Sequence, residues 1–374
     1  MKIGSSLKTK SYLIMAPLVG LFLLLTFAMV HATWQIRGEV AQVENEASDA
    51  LWSGRLARAS DRYRADYWEL LSTGKTSEQE QVGEDAAEVE AIIEHFREEN
   101  EAAGDHADVA RLQSFAKEFA SAKASVDAAA RYLTNTDAAA SRSKAGEEAG
   151  RILVQATGPA RDLAVVSERE VERATADLAA SSKAIFGRSS AMCRTAEQLI
   201  PEAHEIALVQ RVILGFGAEL TDFAHYAALR DGSASFAERL YETRYRHAET
   251  VAALDDLEKS EQNESDAAGK ELVDTIRKRY EVVTSLSRQV TNLPAMSPSQ
   301  RRSELEDQLE SQVNSLHASM DELAALQAAD LRHATDRLRA TLRQTEAMIA
   351  GLWDFSCSSR PVFPICSCIK SWSR

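Results

Sequence analysis

Apolar residues recur along this chain at helical intervals, and no segment alternates convincingly as a strand would. Trp52, Leu56, Ala59, Tyr63, Tyr67 and Leu70 fall at steps of three and four, the buried face of a helix running from Trp34 to about Leu71. Thr73-Gly74-Lys75 stops it, with Gly in the left-handed position that helix ends favour. A second helix, from Thr76 or Ser77 to Ala102 or Ala103, opens with acids at Glu78 to Glu80 and carries Val82, Ala86, Val89, Ile92, Ile93 and Phe96. Gly104-Asp105 breaks it. A third begins near His106 and buries Val109, Leu112, Phe115, Phe119, Val126 and Leu133. The stretch from Asn135 to Gly150 is small and polar. After Gly158-Pro159 the pattern resumes, with Pro suited to a first turn, through Leu163, Val166, Val171, Leu178 and Ile185. Further helices are predicted over about Ile206–Leu229, Phe236–Leu257 and Ala267–Leu293. The last spans about Ser299–Leu352, where Leu309, Val313, Leu316, Met320 and Leu323 keep near-heptad spacing.

One stretch breaks this amphipathic rule. From Tyr12 to Val30 no charged residue occurs, which suffices for a helix across a bilayer core. Lys2, Lys8 and Lys10 precede the run and Glu39, Glu44 and Glu46 follow it, so the N-terminus stays cytoplasmic and everything after Trp34 is exported. A cleaved signal ending near Val30-His31-Ala32 is the alternative, against which the length of the run argues. The expected layout is a cytoplasmic 1–11, a membrane helix 12–32 and an exported region 33–352. At the far end Ala347–Trp353 begins like a second span, but Asp354, Arg360, Pro361 and Pro364 interrupt it. Residues 353–374 are therefore expected to be an atypical tail, from a truncation or a frame shift, or else a natural free end.

The exported part repeats itself at the level of architecture. Tyr67–Gly74 can be laid over His225–Gly232, each an aromatic-ended helix closing on Gly. A first repeat over about 35–135, a second over about 206–293 and a return helix over 299–352 give an all-α fold of two stacked four-helix bundles. Composition agrees: the 374 residues hold only 7 Pro and 16 Gly, and aromatics are 6%, as in long helices with small-residue seams. A net charge of −14 argues against a nucleic-acid partner. The 4 Cys show neither zinc-site spacing nor a disulfide framework. No cofactor is implied. No carboxylate pair, His pair or Gly-rich phosphate loop stands out, so an enzyme is not expected.

The Tyr12–Val30 anchor, the segment RLARASDRYRADYWELLSTG at Arg55–Gly74, its echo at His225–Gly232 and the long returning helix together resemble the sensor region of bacterial transmembrane receptors. The likeness is to the helical bimodular sensors of chemoreceptors (methyl-accepting chemotaxis proteins) and of some sensor kinases. It covers residues 1–352 and implies a homodimeric inner-membrane receptor. Its periplasmic bundles would bind a small anion, often an organic acid, and signal by a shift of one long helix against another. The chain departs from that pattern after residue 352, where no second span, HAMP linker, methyl-accepting hairpin or kinase core follows. The sensor portion of a histidine kinase and a ligand-free, membrane-tethered spacer are the rival readings.

Candidate ligand contacts follow from the helix face and the resemblance together. Arg55, Arg58 and Arg62 lie at i, i+3 and i+7, where guanidinium groups at a bundle seam can take a carboxylate, with Tyr63 or Tyr67 adding hydroxyls. A solvated flank paired with Asp61, Asp66 or Glu69 is the structural alternative. Arg211, His225, Tyr226 and Arg230 form the equivalent set in the second repeat, unless His225 simply fills a seam. Arg244, Tyr245, Arg246 and His247 point around their helix and are expected at the surface.

Overall fold

Strong helix formers fill long tracts between few breakers, and among the described residues of the computed structural model every regular element is an α-helix. It describes residues 4–73, 76–135, 139–187, 190–228, 247–260, 267–292 and 299–358. Within these, the side chains of 4–19, 22, 71–73, 76–77, 132–135, 139–147, 222–228, 290–292, 299–304, 306–307, 310 and 352–358 lie outside the description. The helices are α1 (Gly4–Thr73), α2 (Thr76–Ala103), α3 (His106–Asn135), α4 (Ala139–Phe186), α5 (Ala191–Glu197) and α6 (Leu199–Ala228). After them come α7 (247–260), α8 (Ala267–Asn292) and α9 (Ser299–Ser358).

The observed helix limits follow the breakers. Gly104 takes φ 81°, and Asp105 caps α3 by accepting the Ala107 and Asp108 amides at 2.9 and 3.0 Å. Gly187, at φ 78°, closes α4, and Ser190 caps α5 through the Cys193 amide at 3.0 Å. The short α5 has little besides that cap to signal it in the sequence. The restart expected at Gly158-Pro159 is corrected: Pro159 lies inside α4, which passes through it unbroken. The carbonyl that Pro159 leaves without its donor is that of Gln155, on the exposed face, while Leu153, Ala156, Ala160 and Leu163 keep the buried face continuous.

The chain divides into two compact units, Met1–Glu44 with Ala174–Ile200 and Arg332–Arg374, and Asn45–Arg173 with Pro201–Leu331. In the first, Ile36, Val40 and Val43 of α1, Leu178 of α4, Met192 and Cys193 of α5, and Leu338 and Leu342 of α9 are buried. Arg37 grips Glu346 at 2.7 Å and Arg339 pairs with Glu44, two bridges between α1 and α9. On α1 before Ile36, the side chains of Leu21, Leu23, Leu24, Leu25, Phe27, Met29, Val30 and Trp34 are exposed. Among the described residues no helix is long and apolar enough to cross a membrane. Within the run Tyr12–Val30, the side chains of 12–19 and 22 lie outside the described residues.

Among the described residues the second unit holds two apolar cores of four helices each. Leu56, Tyr63, Tyr67 and Leu70 of α1 pack with Val82, Val89 and Phe96 of α2, Leu112, Phe119 and Val126 of α3, and Leu153 and Leu163 of α4. Val212 and Phe216 of α6 pack with Leu254 and Leu257 of α7, Val273, Ile276 and Tyr280 of α8, and Leu316, Met320 and Leu323 of α9. The α1 stretch that builds the first core also touches α6 and α9, at Gly54–Gln210, Asp61–Gly217 and Arg58–Asp321. Within this unit α1 therefore borders both cores: its apolar face packs into the first, and its small and polar flank meets α6 and α9. The echo at His225–Gly232 falls on residues whose side chains, or whose positions altogether, are outside the description.

Candidate functional site

The arginine face of α1 leaves in three directions. The Arg55 guanidinium is exposed and lies 4.6 Å above the Trp52 ring. Arg58 turns to α9 and pairs with Asp321. Arg62 turns to α2, where Nε donates to Asp85 at 2.8 Å and Nη2 to Glu88 at 2.5 Å. Tyr63 and Tyr67 are completely buried in the first core. Tyr63 stacks obliquely on Phe119 at 5.4 Å, and burial pushes the pKa of its hydroxyl up, as it does for Tyr67. Arg211 reaches across from α6 to α4, donating from Nε to Glu168 at 2.5 Å with Glu172 at 3.6 Å. The side chain of His225 and all of Arg230 lie outside the described residues.

Arg58, Arg62 and Arg211 meet carboxylates rather than one another because a helix fans its side chains at 100° per residue while acids abound on every neighbour. The centre of the seam is a residue that sequence reading treated only as a flank partner. Asp61, about 3% exposed, accepts Arg161 Nε and Nη2 at 3.1 and 2.7 Å and Arg64 Nη1 at 3.2 Å. Thr221 donates to the Gly217 carbonyl at 2.9 Å and lies 3.4 Å from that of Asp61. Gly217 is required there, since a β-carbon would sit 2.6 Å from Asp61 Oδ2. Close by on α9, His317 is buried with its ring edge on Phe216 at 5.4 Å. Burial, then the Arg58 and Arg62 charges, depress its pKa to about 3, so the ring stays neutral.

Other buried carboxyls have their own solutions. Asp49 accepts Asn100 Nδ2 at 3.0 Å, and burial lifts it to about 7. Burial above all, with the Asp85 carboxyl beside it, pushes the pKa of Asp66 far up. Glu168 is raised by burial against the pull of Arg211. Glu205 accepts Ser260 at 2.7 Å.

Of the Arg244–His247 cluster only His247 is among the described residues, and it is half-buried. Its ring stacks on Tyr280 at 5.5 Å, and its Nδ1 lies 2.5 Å from the Tyr280 hydroxyl, which donates to Glu219 at 2.7 Å. This chain from α7 through α8 to α6 carries no local sequence signal, because its members are 28 and 33 residues or more apart. Among the described residues no group of three His, Cys, Asp or Glu side chains is placed to hold a metal ion. Compared with known proteins, the chain matches no family model, and neither a curated protein nor a solved structure matches it.

Proposed function

We propose that this chain is the ligand-sensing part of a membrane-anchored signalling receptor, of the kind that serves bacterial chemotaxis, and that its helical body takes up a small charged metabolite outside the cytoplasm. The observation that carries the reading is the exposed apolar sleeve Leu21–Val30, continuous in α1 with the helix that builds the body. So large a stretch of bare Leu, Phe and Met calls for an apolar environment, and the bilayer interior supplies one. Support comes also from α9, which returns to α1 at the Arg37–Glu346 and Arg339–Glu44 bridges. A displacement of α9 would therefore be felt at the end of α1 that bears the sleeve. Charge on the flanks orients the tether, with lysines before it and glutamates after.

The test is topological. In a Gram-negative host, protease added to intact spheroplasts is expected to degrade the region after Trp34. Protection until the cells are lysed would sink the reading. A second reading, a tethered spacer without ligand, is favoured by the engagement of Arg58, Arg62 and Arg211 with acidic partners. Calorimetric titration of the full chain with small metabolites separates the two.

A further inference from the structure

A cleft of about 310 Å³ opens between α7 and α8, away from the arginines considered above. Val251 and Leu254 of α7 form an apolar wall, and Arg277, Glu281, Thr284 and Arg288 of α8 form a polar one. At roughly 30 Å³ per water-sized group, it accommodates about ten non-hydrogen atoms. Its floor is fixed by Tyr280, locked between His247 and Glu219. A floor held this way costs little further ordering when a ligand arrives.

The charges on the polar wall alternate. Arg277, Glu281 and Arg288 stand at i, i+4 and i+11 on one face of α8, positive, negative, positive. Arg277 gives Nη2 to Asp255 at 2.6 Å and to Glu258 at 2.9 Å, while its buried Nε has no hydrogen-bond partner among the described residues. A buried N–H without an acceptor is costly, and a ligand oxygen would relieve it. Because Asp255 and Glu258 already balance the Arg277 charge, the site offers little to a purely anionic molecule. It suits one that carries both charges.

We propose that this cleft binds a free α-amino acid with a small apolar side chain. The carboxylate accepts from Arg277 Nε, the ammonium group faces Glu281, and the side chain lies on Val251 and Leu254. The inference rests on the sensor reading and specifies its ligand as a zwitterion at the α7–α8 cleft.

Calorimetry on the full chain in detergent tests it with leucine and valine as probes. Two controls each remove one charge from leucine: 4-methylpentanoate lacks the amine and 3-methylbutylamine lacks the carboxylate. Saturable binding of leucine or valine is expected, weakened about tenfold or more by either deletion. Arg277→Lys keeps the charge that Asp255 and Glu258 need but removes the Nε donor, and is expected to weaken leucine about tenfold. Glu281→Gln should do the same while leaving 4-methylpentanoate unchanged. Val251→Trp fills the cleft and should abolish binding with the helical circular dichroism retained. Failure of both amino acids to bind, equal binding of leucine and 4-methylpentanoate, or leucine binding indifferent to all three variants would each overturn the proposal. Binding of 4-methylpentanoate or another plain acid in place of leucine would leave the sensor reading standing, whereas inverted protease topology would remove that reading by itself.

Discussion

Asp49 shows how a single carboxyl sets the response of this fold to pH. Its folded pKa, about 7, is well above the ordinary carboxylate value, so the fold favours the protonated form. Its contribution is fully present below pH 4 and is lost as pH rises towards 7, because the unfolded chain then ionises first. Asp49→Asn keeps an acceptor for Asn100 and cannot ionise. The variant should therefore melt at nearly the wild-type temperature at pH 4 and be more stable by about 2 kcal/mol at pH 8, the full linkage being discounted for partial hydration. His317 works in the other direction. Its folded pKa is depressed, so stability is lost as pH falls from about 6.5 towards about 3. His317→Leu removes that acid-side loss, and in thermal melts between pH 7 and pH 4 the wild type should lose stability relative to the variant as pH falls; a difference that does not change with pH would show that the neutral ring is not the cause.

At the scale of the helix, two glycines of similar sequence context behave oppositely. Gly217 faces the Asp61 carboxylate with no room for a methyl group, so Gly217→Ala should cost about 1–3 kcal/mol by forcing the α1–α6 seam apart. Gly38 lies inside α1 with open space around it, and Gly38→Ala should gain about 0.5–1 kcal/mol from helix propensity. Urea titrations of the two variants distinguish them by sign. Pro159→Ala restores an amide donor to the Gln155 carbonyl and should raise the melting temperature, since the helix already runs through that position. No sequence pattern separates Gly217 from Gly38. The difference lies in which residue of another helix stands opposite.

For the whole molecule, α1 and α9 set the consequences. Deletion of residues 4–33 removes the exposed sleeve and leaves the Ile36–Val43 face and both four-helix cores untouched. Such a protein should move from a carbonate-resistant membrane pellet to the soluble fraction with its helical circular dichroism intact. Full-length protein that is itself soluble would contradict the tether. The exposed Arg37–Glu346 bridge, by contrast, should contribute less than about 1 kcal/mol to stability, and Arg37→Ala is expected to change the melt little.

The amino-acid order alone determined that the chain is helical, where most helices begin and end, and which face of each is buried. The α2 and α8 limits fall within a residue of the breakers that predicted them, and Leu56, Tyr63, Tyr67 and Leu70 are all buried as a stripe at helical spacing. These properties are local, fixed by a period of 3.6 residues and by the few glycines and caps. Tertiary structure decided everything that joins distant positions. Asp61 meets Arg161 across 100 residues of chain, Arg62 takes Asp85 rather than its own flank, and His247 stacks on Tyr280. In a chain with 57 acidic and 43 basic residues, almost every charge has many suitable partners, and only the packing of one helix against another selects among them.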